Sequence, residues 1–406
     1  RNDWSSTLGI NNQSFFYPSI STSFVFTDAF NMSQDILSFG KVRLSWAQVG
    51  ASAQPFLTTS GYAFSNESYN GQPYASKSSQ IPLFDLKNEL TTSWEVGTDL
   101  RFFQNRVGVD ITYYNSSTSN QILELPISDA SGYRTQVINA GEIQNQGIEI
   151  TLNLTPVKTK NFQWGIDANF ASNNSKVVEL DGVIQTYKIL DTNDDSWSND
   201  VHAEVGAPYG NIIGYKYLRN DEGRKIVSSG GEYQRESEVS VLGNITPDWI
   251  GGLNNTFSYR GLSLNVLLDF VQGGDFTSHT KRWMTQKGTG AWTVEGRRPK
   301  PVDENGNQLP YVGVLDGVVD NGDGTYSENT QAVPGQKYWA SRAWSGIGEE
   351  FVIDGSYISL REVILGYSFP RSIISKTPFT TLTLSVIGRN LAYLLEHTSD
   401  YGIAPE

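Results

Sequence analysis

The chain has 406 residues, with 30 Lys and Arg against 43 Asp and Glu, a net charge of −13 and no cysteine. An acidic chain without a basic run is a poor nucleic-acid binder, and no disulfide or thiolate metal site exists. The charged fraction is only 18% and aromatics reach 12%, a balance that suits long alternating strands better than a set of soluble enzyme domains.

Taken in chain order, the dominant signal is a period of two, which places alternate side chains on opposite faces of a strand. Segment 16–26 sets Phe16, Ile20, Phe24 and Phe26 against Ser19, Ser21 and Ser23. Segment 40–49 sets Val42, Leu44 and Trp46 against Lys41, Arg43 and Ser45. The cleanest alternation is 89–103. Leu90, Trp94, Val96, Leu100 and Phe102 share one face, and Glu89, Glu95, Asp99 and Arg101 share the other. A tight turn at Gln104-Asn105 leads into 106–115, where Val107, Val109, Ile111 and Tyr113 oppose Asp110, Thr112 and Tyr114.

The pattern continues in 147–156, with Ile148, Ile150, Leu152 and Leu154 on one face. A turn is expected from Pro156 to Asn161, then a strand at 162–171 carrying Phe162, Trp164, Ile166 and Phe170. Segments 249–260 and 262–270 meet at Arg260-Gly261, with Leu253, Phe257, Leu264, Val266 and Leu268 alternating with polar residues. Segment 356–369 has apolar residues on both faces, and 380–391 presents Leu382, Leu384 and Val386. Segments of this length match the ~9–11 residues of a tilted bilayer crossing. Soluble sandwiches and propellers also alternate. Here short connections alternate with long ones at 51–88, 116–133, 172–248 and 271–349, and Trp, Tyr and Phe flank the apolar faces. Both features favour an all-β, antiparallel, multi-pass outer-membrane barrel.

Several stretches resemble one family. NAGEIQNQGIEITLNL (139–154) is similar to a segment of TonB-dependent outer-membrane transporters. PDWIGGLNNTFSYRGLSLNVLLDFVQGGDF (247–276), EVGAPYGNIIGYK (204–216), FVIDGSYISLREVILGYSFP (351–370) and VIGRNL (386–391) resemble the SusC/RagA branch. So does the closing YGIAPE (401–406), with Ala404 where that branch usually has Asp. The resemblance implies a barrel of roughly 22 strands around an N-terminal plug. Residues 1–406 would be its C-terminal part, with the signal peptide, plug, early strands and final strand outside the chain. It further implies active import of an oligosaccharide or peptide through the bacterial outer membrane. Energy would come from TonB acting on the absent N-terminal region, and a SusD-like surface lipoprotein would serve as lid. Two other readings stay open: a lid-less siderophore or cobalamin importer, and a non-transporting barrel such as an adhesin or secretion pore.

Candidate chemistry is sparse. Three single histidines, His202, His279 and His397, do not form a motif. The carboxylates Glu95, Asp99, Asp110, Glu149, Asp167 and Asp269 alternate with polar neighbours and read as a solvated barrel wall, not as acid–base pairs. Asp320-Asn-Gly-Asp-Gly-Thr is similar to part of a calcium loop but lacks the remaining ligands, so a turn is the simpler meaning; Asp191, Asp194 and Asp195 are treated alike. No catalytic residue, metal site or cofactor is expected. Aromatics on the long loops can stack on sugar rings or grip peptide side chains, or else pack the loops together. The candidates are Tyr62, Tyr74, Trp197, Trp283, Trp292, Tyr338, Trp339 and Trp344.

Overall fold

The computed structural model describes residues 1–182, 184–190, 199–294, 312–375 and 377–405. Its frame is one ten-stranded antiparallel sheet in which each strand pairs with its neighbours in chain order. The strands are β1 (Ser19–Val25), β2 (Leu37–Ala51), β3 (Glu89–Phe102), β4 (Val107–Ser119) and β5 (Glu142–Lys158). They continue as β6 (Phe162–Glu179), β7 (Pro247–Tyr259), β8 (Leu262–Gly273), β9 (Tyr357–Ser368) and β10 (Thr383–Leu395). Every strand expected from the alternation is present, with β1 and β10 at the two open edges.

The ends differ from expectation where proline or a bulge intervenes. Segment 16–26 divides: Ser14–Phe16 pairs with Asn2–Trp4, Pro18 interrupts, and Phe26 opens a short helix, Phe26–Ala29. Proline cannot donate to a ladder, so it sits where pairing changes partner. Pro156 does not begin the turn after β5 either. It occupies a register shift between Leu154 and Val157, and β5 runs on to Lys158. The mixed faces of 356–369 have a similar origin. Leu267 pairs with Glu362 but Leu268 pairs with Leu360, so Arg361 is an extra residue. That bulge resets the alternation, and Ile358 and Leu360 join Val363, Leu365 and Tyr367 on one face. Strand β4 also outlasts its apolar pattern, because Ser116–Ser119 still pair on both sides.

Short connections at 103–106, 159–161 and 260–261 close one end of the sheet. At Arg260 and Gly261 both φ angles are positive, 47° and 93°, the conformation of a two-residue hairpin whose twist matches its strands. The long connections, 52–88, 120–141, 180–246 and 274–356, all leave from the other end, because consecutive antiparallel strands reverse at each step. They are not structureless. They contain helices α1 (His279–Lys287) and α2 (Gly335–Trp344), several hairpins, and a second, four-stranded sheet.

The packed interior lies mainly in these connections. One buried cluster joins Leu8, Leu57, Leu86 and Val137, a second joins Tyr217, Val227, Tyr233, Leu315 and Ile347, and a third joins Val177, Leu180 and Ala203. The apolar face of the large sheet is left open: Leu44, Trp46, Trp94, Val96, Tyr113, Leu365 and Val386 are exposed. A continuous apolar face of this extent needs an apolar neighbour. Paired rings border it at both ends. Trp94 and Tyr113 lie 5.4 Å apart, and Phe170 and Trp249 5.7 Å, toward the long connections; Trp164 and Phe257 lie 5.8 Å apart toward the turns. Aromatic girdles of this kind flank the apolar band of outer-membrane barrels. Among the described residues no helix is long and apolar enough to cross a membrane, which leaves strand crossings untouched.

Candidate functional site

Two regions can meet a solute: the polar face of the sheet and the crown of long connections. On the polar face, pairing register lines up Lys41, Asp99 and Asp110 on β2, β3 and β4. Arg43 lies opposite Gly97 and reaches over it to Asp110, where Nη1 and Nη2 donate to the two carboxylate oxygens at 2.6 Å each. Arg43 also donates to Thr112. Asp99 is shared by Lys41 at 3.6 Å and Arg101 at 3.2 Å. Farther along, the bulge residue Arg361 donates to Asp269 at 2.8 Å, Asn153 donates to Asp167 at 2.8 Å, and Arg389 donates to Glu362 at 2.7 Å. The carboxylates that stand out in the sequence are thus largely committed to neighbours across the strands. A hollow of about 530 Å³ lies on this wall, lined among others by Glu149, Thr151, Asn169, Asp269 and Arg361. The wall therefore offers a dense set of donors and acceptors of both charges to anything passing along it.

In the crown, the structure divides the candidate aromatics. Tyr62 and Tyr74 sit on a hairpin formed by Tyr62–Tyr69 and Gln72–Lys77, 76% and 44% exposed. Trp283 on α1 is 49% exposed and Trp344 at the end of α2 is 59% exposed. Trp292, Tyr338 and Trp339 turn inward. The Trp292 indole N–H donates to Thr285 Oγ1 at 3.0 Å, and its ring meets Tyr401 edge-on at 5.1 Å. Tyr338 and Trp339 meet edge-to-face at 5.2 Å, and Trp339 is only 9% exposed. Trp197 lies outside the described residues, as do Asp191, Asp194 and Asp195. The 320–325 segment is the tip of a hairpin. Asp320 accepts from the Gly322 N–H at 2.8 Å and Asp323 from the Thr325 N–H at 3.0 Å, while Glu328 is held by Arg224. Among the described residues no group of three or more His, Asp or Glu side chains is placed to hold a metal.

A clasp with no sequence signal organises the crown. Arg219 donates to both oxygens of Glu349, at 3.0 and 2.5 Å, and the Tyr217 hydroxyl bonds Glu350. The Lys225 ammonium lies 3.6 Å from the centre of the Tyr217 ring, and Arg342 lies 4.8 Å from the Trp339 ring. Burial, then the charge of Glu350, pushes the Tyr217 phenol far above its ordinary range. Burial lowers Lys225. Burial works to raise Glu349, but the Arg219 hydrogen bond and the Tyr217 N–H hold it below the usual carboxylate value. Partners 130 residues apart leave no local spacing to read.

The profile of the family described as TonB dependent receptor-like, beta-barrel, matches residues 1–386. TonB-dependent receptor P3 of Formosa agariphila is 26% identical over 444 residues, covering 100% of this chain and 40% of its own length. The TonB-dependent receptor SusC of Bacteroides thetaiotaomicron is 26% identical over 284 residues, covering 66% of this chain and 28% of its own length. The chain thus spans well under half of these curated relatives. Among solved structures, the RagAB peptide importer in its closed-closed state superposes with a TM-score of 0.74 at 19% identity, over 100% of this chain and 42% of that one.

Proposed function

The chain belongs to the TonB dependent receptor-like β-barrel family of the bacterial outer membrane, and from that membership we propose that it supplies the wall and outer loops of an active importer of the SusC/RagA type. Residues 1–406 form the C-terminal part of the barrel in this reading. The plug that TonB pulls on belongs to the remainder of the polypeptide. A SusD-like surface lipoprotein covers the long connections and traps an oligosaccharide or peptide above the plug. When the plug moves, the ligand descends along the polar wall between Arg43 and Arg361. This chain performs no covalent chemistry.

The single observation that carries the reading is the sidedness of the ten-stranded sheet. One face is apolar and uncovered, the other is polar and ion-paired, and all long connections leave from one end. Only a wall between lipid and an aqueous lumen asks for all three at once. The test uses the full-length protein in its native host. Uptake of a fluorescent oligosaccharide or peptide should vanish when either the protein or the TonB system is disrupted, and a surface lipoprotein should co-purify with it. Uptake that persists without TonB would exclude the proposal.

A further inference from the structure

The turn end of the large sheet carries a hollow that the transport reading does not use. The connection before β2 and the turn between β3 and β4 are tied together there. The Phe103 N–H donates to the Ile36 carbonyl at 2.8 Å, and the Gln104 N–H donates to Ser38 Oγ at 2.7 Å. On the other side, the Thr155 N–H donates to the Arg106 carbonyl at 2.7 Å, within the register shift where β5 absorbs Pro156. A bulge bends its strand out of the ladder and so opens space beside it. The hollow measures about 680 Å³, with Asp35, Gln104, Arg106 and Thr155 on its polar side and Val107 and Leu154 on its apolar side.

The two sides of this lining suit different surroundings. Val107 pairs with Phe102 on one flank and with Leu154 on the other, so the three make one row across β3, β4 and β5. That row continues the uncovered apolar face of the sheet down to the turns. Phe103, also in the lining, adds a ring that is 52% exposed. The polar side holds one charge of each sign. Arg106 and Asp35 are both exposed, and among the described residues neither has an ion-pair partner. Asp35 accepts from the Ser33 hydroxyl at 2.8 Å, which leaves its carboxylate room for further donors.

The chemistry of the occupant follows from that combination. A guanidinium grips a phosphate through parallel N–H donors, and a carboxylate takes a primary ammonium by charge-assisted hydrogen bonds. Free phosphate would leave the apolar side bare and would meet the repulsion of Asp35. An anionic headgroup without an amine would leave Asp35 facing no cation. A phosphoethanolamine headgroup answers both charges, and its acyl chains run on over Val107, Phe102 and Leu154.

We propose that this hollow holds one phospholipid with a phosphoethanolamine headgroup, its phosphate on Arg106 and its ammonium on Asp35. Gln104 and Thr155 are placed for the ester oxygens next to the phosphate. The site lies in the leaflet at the turn end. It rests on the strands spanning a membrane and not on what the barrel transports.

The test uses the full-length protein, stripped of lipid in detergent. Phosphatidylethanolamine, phosphatidylcholine and phosphatidylglycerol of one acyl composition are titrated in turn, and native mass spectrometry counts the bound molecules. One phosphatidylethanolamine should bind several-fold more tightly than either of the others, since the choline nitrogen has no N–H to donate and the glycerol headgroup has no cation. Arg106→Ala should weaken it about tenfold. The contact of Arg106 with Thr155 runs through the backbone and survives that change. Asp35→Asn should erase the preference for phosphatidylethanolamine over phosphatidylglycerol, which a folding defect would not do selectively. Arg371→Ala, an exposed arginine in the connection between β9 and β10 at the same end, should leave binding unchanged. Heat-modifiable gel migration confirms that each variant forms its barrel. The proposal is overturned if the three lipids bind alike, if Arg106→Ala binds as tightly as the parent, or if Arg371→Ala weakens binding equally, which would mark ordinary boundary lipid. Displacement of the lipid by millimolar inorganic phosphate would overturn it too, in favour of a free-anion site. Dependence of uptake on TonB tests the importer reading separately, so either can fail alone.

Discussion

Arg43 stands directly across the strand pair from Gly97 and passes over it to hold Asp110 on the next strand. A Cβ at position 97 would lie 2.5 Å from Arg43 Nε, so the three-strand bridge requires glycine there. The pair is about one-third exposed on each side, which limits its worth. We expect Gly97→Val and Arg43→Ala each to cost about 1 kcal/mol. The double variant should cost less than the sum, because both remove one interaction. Urea unfolding of the full-length barrel in lipid vesicles reads this out, and strict additivity would mean that Gly97 serves something else.

The two faces of β3 should respond in opposite ways. Val96 lies on the exposed apolar face between Leu44 and Tyr113, while Asp99 lies on the polar face beside Lys41. Val96→Arg should destabilise the barrel by ~2–4 kcal/mol if the residue sits near the midplane, and Asp99→Asn by ~1 kcal/mol or less. In membranes, a water-soluble maleimide should label Asp99→Cys and spare Val96→Cys. Equal labelling would reverse the assignment of the faces.

The crown clasp should loosen in acid. Glu349 titrates below its ordinary 4.5 in the folded chain, held down mainly by Arg219 against the opposing effect of burial. A depressed carboxylate contributes stability that is complete above the unfolded pKa and is lost as pH falls through the folded one. The protection of the Tyr217 amide against exchange, taken relative to the intrinsic rate at each pH, should therefore fall below pH 4.5, because its N–H donates to Glu349 at 2.9 Å. In Glu349→Gln the exchange should be faster at neutral pH and should lack that step. An unchanged pH profile in the variant would assign the step to another group.

Sidedness can be read on intact cells. Epitopes inserted at Asn70-Gly71 and at Asn321-Gly322 occupy hairpin tips in two different long connections. Antibody should reach both without permeabilisation. An epitope at Gln104-Asn105, in the tight turn between β3 and β4, should be reached only after the outer membrane is opened. Any exchange between these two groups would contradict a common outer face for the long connections.

The strands were legible because lipid and water impose a strict period of two, and a strand carries its own period wherever it folds. Trp94, Val96 and Leu100 against Glu95, Asp99 and Arg101 needed no partner to be read. The places where that reading slipped are places where pairing overrides local pattern. Arg361 looks like any polar residue of an alternating segment, but the register of β8 makes it a bulge. Pro156 looks like the start of a turn, but a shift in the ladder absorbs it inside β5. The loop aromatics were visible as a class only, since Trp339 and Trp344 differ in nothing local.

What the chain determines by itself is therefore the sheet: its strands, its two chemistries and the end from which the long connections leave. All three follow from residues near one another in sequence. The crown was decided by tertiary structure alone. Arg219 meets Glu349 and Tyr217 meets Glu350 only after the connection of 180–246 folds against that of 274–356. The same folding buries Trp339, leaves Trp344 outside, and strands the Ser341 hydroxyl beside it. Contacts of that kind depend on which surfaces come together, and no periodicity records them.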